Sequence, residues 1–184
     1  TETAALIATN PAGREKMGSV GLPVPGTEVR IVDDAGRELP PHQSGEICCR
    51  SPGVMRGYWH APAATAEALR EDWLYTGDIG YLDDEGYLFI VDRKKDLIIR
   101  GGFNVYPRDV EDALVEHPAV QLAGVVGRPD EVHGEEVIAF VSLQSDVASE
   151  DLIAWAREHI GGYKYPREIR VIDAVPLTLS LIHI

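Results

Sequence analysis

The chain has 184 residues, of which 45% are hydrophobic and 26% are charged, and its formal net charge is −13. This composition is that of an ordinary globular protein long enough for one domain or two small ones. The acidic balance argues against nucleic-acid binding, which needs clustered Lys and Arg, and no run approaches the roughly 20 apolar residues that span a bilayer.

The first half of the chain has the pattern of β structure around one helix. Alternating and apolar runs bounded by turn residues predict strands, which span Thr27–Asp33, Gly45–Arg50, Trp73–Gly80 and Tyr81–Asp92. A hairpin loop ending in glycine is predicted at Asp83–Gly86. Pro62 opens an alanine-rich helix through Arg70, because proline suits a first helical position. This block is mostly antiparallel and fits part of a barrel-like subdomain.

Cys48 and Cys49 are adjacent within the second of these strands. Neighbours in a strand point to opposite faces, so neither a disulfide framework nor a metal site is expected from them. The first residues show neither the basic nor the apolar region of a secretion signal. We therefore predict a reducing, cytoplasmic location.

The second half alternates strands with helices. Strands are predicted over Asp96–Arg100, Val120–Val126, Glu136–Leu143 and Glu168–Ile172. Two helices are predicted over 107–117, with Val110, Ala113 and Leu114 on one face, and over 149–159, capped by Ser149. The resulting β-α-β-β-α-β order describes a small α+β domain, and we place its boundary at Asp92/Arg93.

The segment from Trp73 to Pro107 carries the most specific signal. Asp78 follows a Thr-Gly turn at one end of the predicted hairpin, and Arg93 closes the other end. A carboxylate can accept both hydroxyls of a cis-diol, while a guanidinium donates to oxygens. If the two side chains converge, they suit the ribose of a nucleotide.

Several ordered motifs resemble the adenylate-forming (AMP-binding) ligases, and specifically the fatty-acyl and aryl-CoA synthetases. They are Tyr75–Asp78, Asp92–Asp96, Gly101–Pro107, Gly45–Ile47, Gly57–Trp59 with Pro62 and Thr65, and Tyr163–Pro166. A lone Thr-Gly-Asp motif would be weak evidence for the family, but several motifs in the family's order are far more specific. The alternative is an α+β domain that does not bind nucleotides. Under that alternative, the presence of all these motifs in order would have to be a coincidence.

The resemblance implies an α+β chain in three parts. Residues 1–92 would belong to the β subdomain of the large AMP-binding domain, as part of an antiparallel barrel. Residues 93–178 would form most of the small, mobile C-terminal domain. We expect 179–184 to be a non-native tail, because Leu179–Ile184 resembles a translated sequencing adapter.

The activity that the resemblance implies is ATP-dependent acyl-CoA synthesis. A carboxylic acid, ATP with Mg²⁺, and coenzyme A would give acyl-CoA, AMP and pyrophosphate through an acyl-adenylate. The Phe103–Pro107 and Val54–Trp59 segments look closest to medium- or long-chain fatty-acyl ligases. Two alternatives stay open: an adenylation domain that loads a carrier protein, and a nucleotide-binding module without turnover.

The resemblance also assigns site residues. Thr1 would contact phosphate, Glu2 would bind Mg²⁺, and Asp78 and Arg93 would bind ribose. Lys95 would contact the nucleotide and form the hinge of the mobile domain. Coenzyme A would meet the residues Arg100, Gly101 and Gly102.

Each assignment has a structural alternative. Asp78 would instead hold its own loop as an Asx turn, and Arg93 would form an exposed salt bridge of little worth. Lys95 would belong to a solvated charge run, the two glycines would form a tight turn, and Thr1 and Glu2 would fray. We also read Tyr58, Trp59, Trp73 and Trp155 as packing residues; these four are not spaced as a stacking platform.

No catalytic residue is assigned within the chain. By the resemblance, the phosphate loop, the acyl pocket and much of the adenine pocket would lie upstream of Thr1, in an N-terminal part of the parent protein. The adenylation lysine would follow Thr178. We therefore expect the 184-residue chain alone to be inactive.

Overall fold

The computed structural model describes residues 1–4 and 6–176. Contacts divide the chain into two units, the first ending at Lys95 and the second beginning at Asp96. This division falls slightly beyond the expected Asp92/Arg93 boundary, because a strand continues through Arg93 and a single helical turn follows it. The expected end of native sequence near Thr178 and the tail at 179–184 lie outside the described residues.

In the first unit, seven strands and one helix are found among the described residues. They are β1 (Ala8–Thr9), β2 (Leu22–Pro23), β3 (Glu28–Val32), β4 (Gly45–Arg50), α1 (Pro62–Ala68), β5 (Leu69–Arg70), β6 (Trp73–Leu82) and β7 (Leu88–Arg93). β1 and β2 form a small antiparallel pair. The other strands form one antiparallel sheet in the order β3-β4-β6, with β5 paired to the start of β6 and β7 to its end. Ile31, Ile47 and Leu88 form the centre of its core.

The predicted helix ends two residues early. Leu69 and Arg70 pair with Leu74 and Trp73 as strand β5. The turn between them is made by Glu71 and Asp72, whose φ angles are 49° and 66°. Type I′ hairpin turns need positive φ at both central positions, which usually selects Asn or Gly. The sequence lacked that signal, so the hairpin was missed.

Strand β6 is also longer than predicted. It runs without interruption past Gly80, and a register shift between Ile79 and Gly80 marks a bulge against β7. A Cβ atom at Gly80 would lie 2.3 Å from the carbonyl oxygen of Phe89. A side chain at this position would collide with the partner strand, so glycine is required there.

The second unit confirms the predicted β-α-β-β-α-β order with one added strand. Its elements are β8 (Ile98–Arg100), β9 (Phe103–Val105), α2 (Pro107–Val115), β10 (Val120–Asp130), β11 (Gly134–Leu143), α3 (Ser149–Ile160) and β12 (Glu168–Val171). The sheet order is β10-β11-β8-β9, and β12 pairs with β11 in parallel. The predicted strand over Asp96–Arg100 is shorter, because Lys94–Asp96 form a 3₁₀ turn.

Helix α2 buries the face that its sequence predicted. Val110, Ala113 and Leu114 are all buried, and α2 packs against β10 and α3. Ser149 does not cap α3: it is the first helical residue, and Ala148 occupies the cap position without a side-chain hydrogen bond. The α+β class with antiparallel sheets is thus confirmed. Among residues 1–4 and 6–176, the helices are too short or too polar to cross a membrane.

Candidate nucleotide site

Asp78 and Arg93 converge as the sequence predicted. They are directly opposite each other in the register of β6 and β7. Arg93 Nε lies 3.4 Å from Asp78 Oδ1, and the two side chains remain 57% and 38% exposed, respectively. An acid and a guanidinium therefore face solvent together, within reach of a single ligand.

The turn before Asp78 is held by Thr76 rather than by Asp78 itself. Thr76 Oγ1 donates to the carbonyl of Ile47 at 2.8 Å and accepts from the Asp78 backbone N–H at 3.1 Å. Gly77 between them has a φ of 74°, a left-handed conformation that favours glycine. Because the threonine hydroxyl performs the loop-holding task, the Asx-turn alternative for Asp78 loses its structural basis.

Glu46 is a site residue that the sequence reasoning did not single out. Its side chain on β4 is only 11% exposed. One carboxylate oxygen accepts from the Gly77 N–H at 3.2 Å, and the other accepts from Lys94 Nζ at 2.9 Å. The resemblance includes the motif Gly45–Ile47 but gives Glu46 no role, and only the pairing of β4 with β6 brings it beside the Thr-Gly turn.

The electrostatic surroundings raise the pKa of the Asp78 carboxyl above its ordinary value of 3.8. Partial burial is the main cause, since it disfavours the charged form, and the negative charge of Glu46 adds to it. Arg93 acts in the opposite direction. Hydrogen-bond donors of a ligand would offset this loss of hydration at the ionised carboxylate.

A cleft of about 210 Å³ lies beside Asp78 within the first unit. Its wall is mainly apolar and includes Leu6, Ile47 and Ile90, while Thr3, Thr76 and Asp78 supply its polar groups. Asp78 thus lies on a concave surface with an apolar wall, the usual character of a small-molecule site.

Thr1 is fully exposed, whereas Glu2 is held in place. The Glu2 carbonyl accepts from the Met55 N–H at 2.7 Å, and Tyr58 Oη donates to the Glu2 carboxylate at 3.3 Å. A hydrogen bond from Glu2's own backbone N–H lowers the pKa of this carboxyl. An ionised, tethered carboxylate is a suitable hard ligand for Mg²⁺, which keeps most of its water shell.

Lys95 is exposed at the end of the first unit, in the 3₁₀ turn Lys94–Asp96. Lys94, just before it, is anchored by Glu46 and by Asp34, whose Oδ1 lies 3.2 Å from Lys94 Nζ. Within the described part of the chain, Lys95 forms no ion pair. The ion pairs that fix this segment to the first unit therefore end at Lys94, immediately before the predicted hinge residue Lys95.

Arg100 is buried, whereas the two glycines that follow it are exposed. Arg100 forms an ion pair with Glu136, with both side chains 10% exposed. Its Nε and Nη2 are both used in that pair, so this geometry does not present the guanidinium to a ligand such as coenzyme A. Gly101 and Gly102 form the exposed turn between β8 and β9, with φ of 57° and 82°.

Replacing Gly102 by Ala should destabilise the second unit by about 1 kcal/mol, because a left-handed conformation strains a residue with a Cβ. No atom would contact that Cβ, so the cost is conformational. Urea unfolding of the chain measures it. Gly162→Ala, at an equally open glycine without positive φ, is the control, and equal stability of both variants would contradict a strained turn.

The reading of the aromatic residues was correct for Trp155 and wrong for Trp59. Trp155 Nε1 donates to the Ala113 carbonyl at 3.0 Å, which joins α3 to α2. Trp59 is 88% exposed and lines an open groove with Pro62. Aromatic identity predicts burial only where a partner surface exists, and the described residues leave this ring uncovered.

Two family models match the chain, and together they cover well over half of it. The AMP-binding enzyme family matches residues 1–59, and the AMP-binding enzyme C-terminal domain matches residues 109–180. The long-chain-fatty-acid–CoA ligase of Escherichia coli O6:H1 is 46% identical over 178 residues, which are 96% of this chain and 32% of the relative. The chain thus spans about a third of the length of that relative.

Solved structures agree with these matches. O-succinylbenzoate coenzyme A synthetase from Bacillus subtilis, in complex with ATP and magnesium ion, has a TM-score of 0.85 and 39% identity, covering 98% of this chain and 38% of that one. An amide bond synthetase from Marinactinospora thermotolerans has a TM-score of 0.81 and 43% identity; the match covers 90% of this chain and 35% of the synthetase chain. The chain belongs to the AMP-binding enzymes, the family of adenylate-forming ligases.

Proposed function

We propose that this chain is the ribose-binding edge and the small mobile domain of an AMP-forming acyl-CoA synthetase. In the first step, a carboxylate oxygen attacks the α-phosphorus of ATP and pyrophosphate leaves, giving an acyl-adenylate. In the second, the thiol of coenzyme A attacks the acyl carbon, loses its proton, and displaces AMP. Positioning and charge neutralisation dominate such phosphoryl chemistry.

The observation that carries the proposal is the Asp78–Arg93 pair. The carboxylate would accept the two ribose hydroxyls, and the guanidinium, 3.4 Å away, would donate to a ribose oxygen. The apolar wall of the adjoining cleft would limit water around these contacts. Thr1 would contact phosphate, and Glu2 would hold a Mg²⁺ ion, which supplies charge neutralisation at the phosphates.

The second step requires the small domain to present another face to the acyl-adenylate. Lys95 would be the pivot, and would contact the nucleotide in the adenylating arrangement. Its exposure, and the anchoring of Lys94 immediately before it, support this role. Gly101 and Gly102 would let the backbone approach the pantetheine arm, because neither carries a side chain.

The acid is proposed to be a medium- or long-chain fatty acid. Similarity to long-chain-fatty-acid–CoA ligases supports this choice, although 2-succinylbenzoate–CoA ligases are nearly as similar. We place the reaction in the cytoplasm, the compartment that the sequence favours.

The acceptor has an alternative. An amide bond synthetase is among the similar structures, so acceptors other than coenzyme A occur among relatives. A carrier protein would be the second candidate here, and a module that binds nucleotide without turnover would be the third.

A chimera tests the proposal. Residues 1–176 would replace the matching segment of B. subtilis o-succinylbenzoate coenzyme A synthetase, which retains its own acyl pocket. We expect ATP–pyrophosphate exchange dependent on o-succinylbenzoate, and CoA thioester formation. The host without the segment and the 184-residue chain alone are the controls, and both should be inactive.

The outcomes separate the candidates. Exchange without thioester formation would favour the carrier-protein reading, and AMP binding without exchange would favour the non-catalytic module. A folded chimera that neither binds AMP nor exchanges pyrophosphate would contradict the proposal.

A further inference from the structure

The environment of Glu46 calls for a functional explanation. A buried carboxylate is costly unless it is paired and hydrogen-bonded. Lys94 supplies the pairing at 2.9 Å, and Asp34 shares that ammonium. The second carboxylate oxygen is directed at the Gly77 N–H, one residue before the acid that faces the cleft.

Two successive amides around Asp78 are therefore fixed by side chains. Glu46 accepts from the Gly77 N–H at 3.2 Å, and Thr76 Oγ1 accepts from the Asp78 N–H at 3.1 Å. Gly77 has a φ of 74° and no atom within contact distance of a Cβ position. No neighbouring atom packs at that Cβ position, so the hydrogen bonds accepted by Glu46 and by Thr76 Oγ1 are the side-chain contacts that fix the turn.

Strand pairing explains why Glu46 can reach the turn. Glu46 is opposite Ile79 in the register of β4 and β6, beside an irregularity between Glu46 and Cys48. Its carboxylate thus extends back along β6 to the amide of Gly77. The same side chain also reaches Lys94 at the end of β7, beyond Arg93. It therefore contacts segments adjoining both members of the Asp78–Arg93 pair.

We propose that Glu46 is a positioning residue of the nucleotide site, which aims the Asp78 carboxylate at the ribose diol by holding the Gly77 amide. The proposal rests on the proposed ribose role of Asp78. It assigns to Glu46 no contact with the nucleotide. Its consequence is specific: loss of Glu46 should remove recognition of the two hydroxyls while sparing contacts to the rest of the nucleotide.

The test compares AMP with 2′,3′-dideoxy-AMP by calorimetry on the chimera described above. With Glu46 present, AMP should bind at least about tenfold more tightly, since hydrogen bonds to a charged acceptor are strong. Glu46→Ala should reduce this preference to about twofold without weakening binding of the dideoxy analogue. Glu46→Gln, whose amide oxygen can still accept from Gly77, should retain most of the preference.

Glu28→Ala is the matched control, because it removes a carboxylate paired with Arg50 on the same sheet, away from Asp78. Its diol preference should be unchanged. If Glu46→Ala does not fold, Glu46→Asp takes its place, since it keeps the charge but shortens the reach. An undiminished diol preference, or equal loss for both ligands, would overturn the positioning role. Equal binding of both ligands with Glu46 present would instead overturn the ribose role of Asp78.

Discussion

Replacing Asp78 by Asn should weaken AMP binding to the chimera about 100-fold. The carboxylate can accept both ribose hydroxyls, and each hydrogen bond to a charged group contributes about 1.5–3 kcal/mol. Asparagine keeps the size but offers a single, neutral acceptor oxygen for both the ribose hydroxyls and Arg93. Calorimetric titration with AMP measures the change.

The same site predicts a pH dependence of binding. Partial burial and Glu46 raise the pKa of Asp78 above 3.8, so this carboxyl becomes protonated earlier than an ordinary one as pH falls. The protonated acid cannot accept both hydroxyls, so AMP affinity should be full near neutrality and decline on acidification. Binding of the Asp78→Asn variant should lack this decline.

Asp84→Asn is the control, since Asp84 is an exposed acid at the tip of the same hairpin, paired only with His42 among the described residues. It should bind AMP normally. Unchanged affinity in Asp78→Asn would remove the observation on which the proposed function rests.

The sequence was most informative where function depends on local chain geometry. A Thr-Gly turn, a hairpin loop and an arginine at the far end sufficed to predict that Asp78 and Arg93 converge. The register that brings them opposite each other needed the bulge at Gly80, which no local pattern indicated. Side-chain alternation indicates which face of the sheet a residue occupies, whereas a bulge is an extra residue on one strand relative to its partner and depends on how the two strands pair.

Side-chain contacts between strands that are distant in sequence could not be predicted from local patterns. Glu46 lies far from Gly77 in sequence and reaches it only across the β4–β6 register. The resemblance assigns Arg100 a coenzyme A contact, but Glu136 on β11 engages its guanidinium. Whether a charged side chain is buried depends on a partner that the local sequence does not reveal.

The buried pair formed by Arg100 and Glu136 leads to the second large expectation. Arg100 Nε and Nη2 donate to the two Glu136 oxygens at 2.5 and 3.2 Å, and both side chains are 10% exposed. Glu136→Ala should destabilise the second unit by about 3–5 kcal/mol, because it leaves a buried guanidinium without its counter-charge. Urea unfolding monitored by Trp155 fluorescence, with Trp59 and Trp73 replaced by Phe, isolates this unit.

The direction of the pKa shift of Glu136 determines how its contribution to stability changes with pH. Burial opposes ionisation, but hydrogen bonds from Arg100 and the Val137 N–H outweigh it and lower the pKa below the ordinary 4.5. A carboxyl whose pKa is lower in the folded state than in the unfolded state stabilises the fold at any pH above its unfolded-state pKa. That stabilisation is lost as the pH falls through the folded-state pKa. The stability gap between the parent and Glu136→Ala should therefore be constant above about pH 5 and shrink below 4.5.

The double variant Arg100→Met with Glu136→Leu distinguishes a buried charge from lost packing. Replacing both partners by apolar side chains of similar size removes the unpaired charge, and such replacements are often neutral or stabilising. We therefore expect the double variant to recover most of the stability lost in Glu136→Ala, and to lack the acid-dependent loss of stability that the parent shows as Glu136 becomes protonated. A double variant as unstable as the single one would show that Glu136 acts through the shape of the β8–β11 contact rather than through its charge.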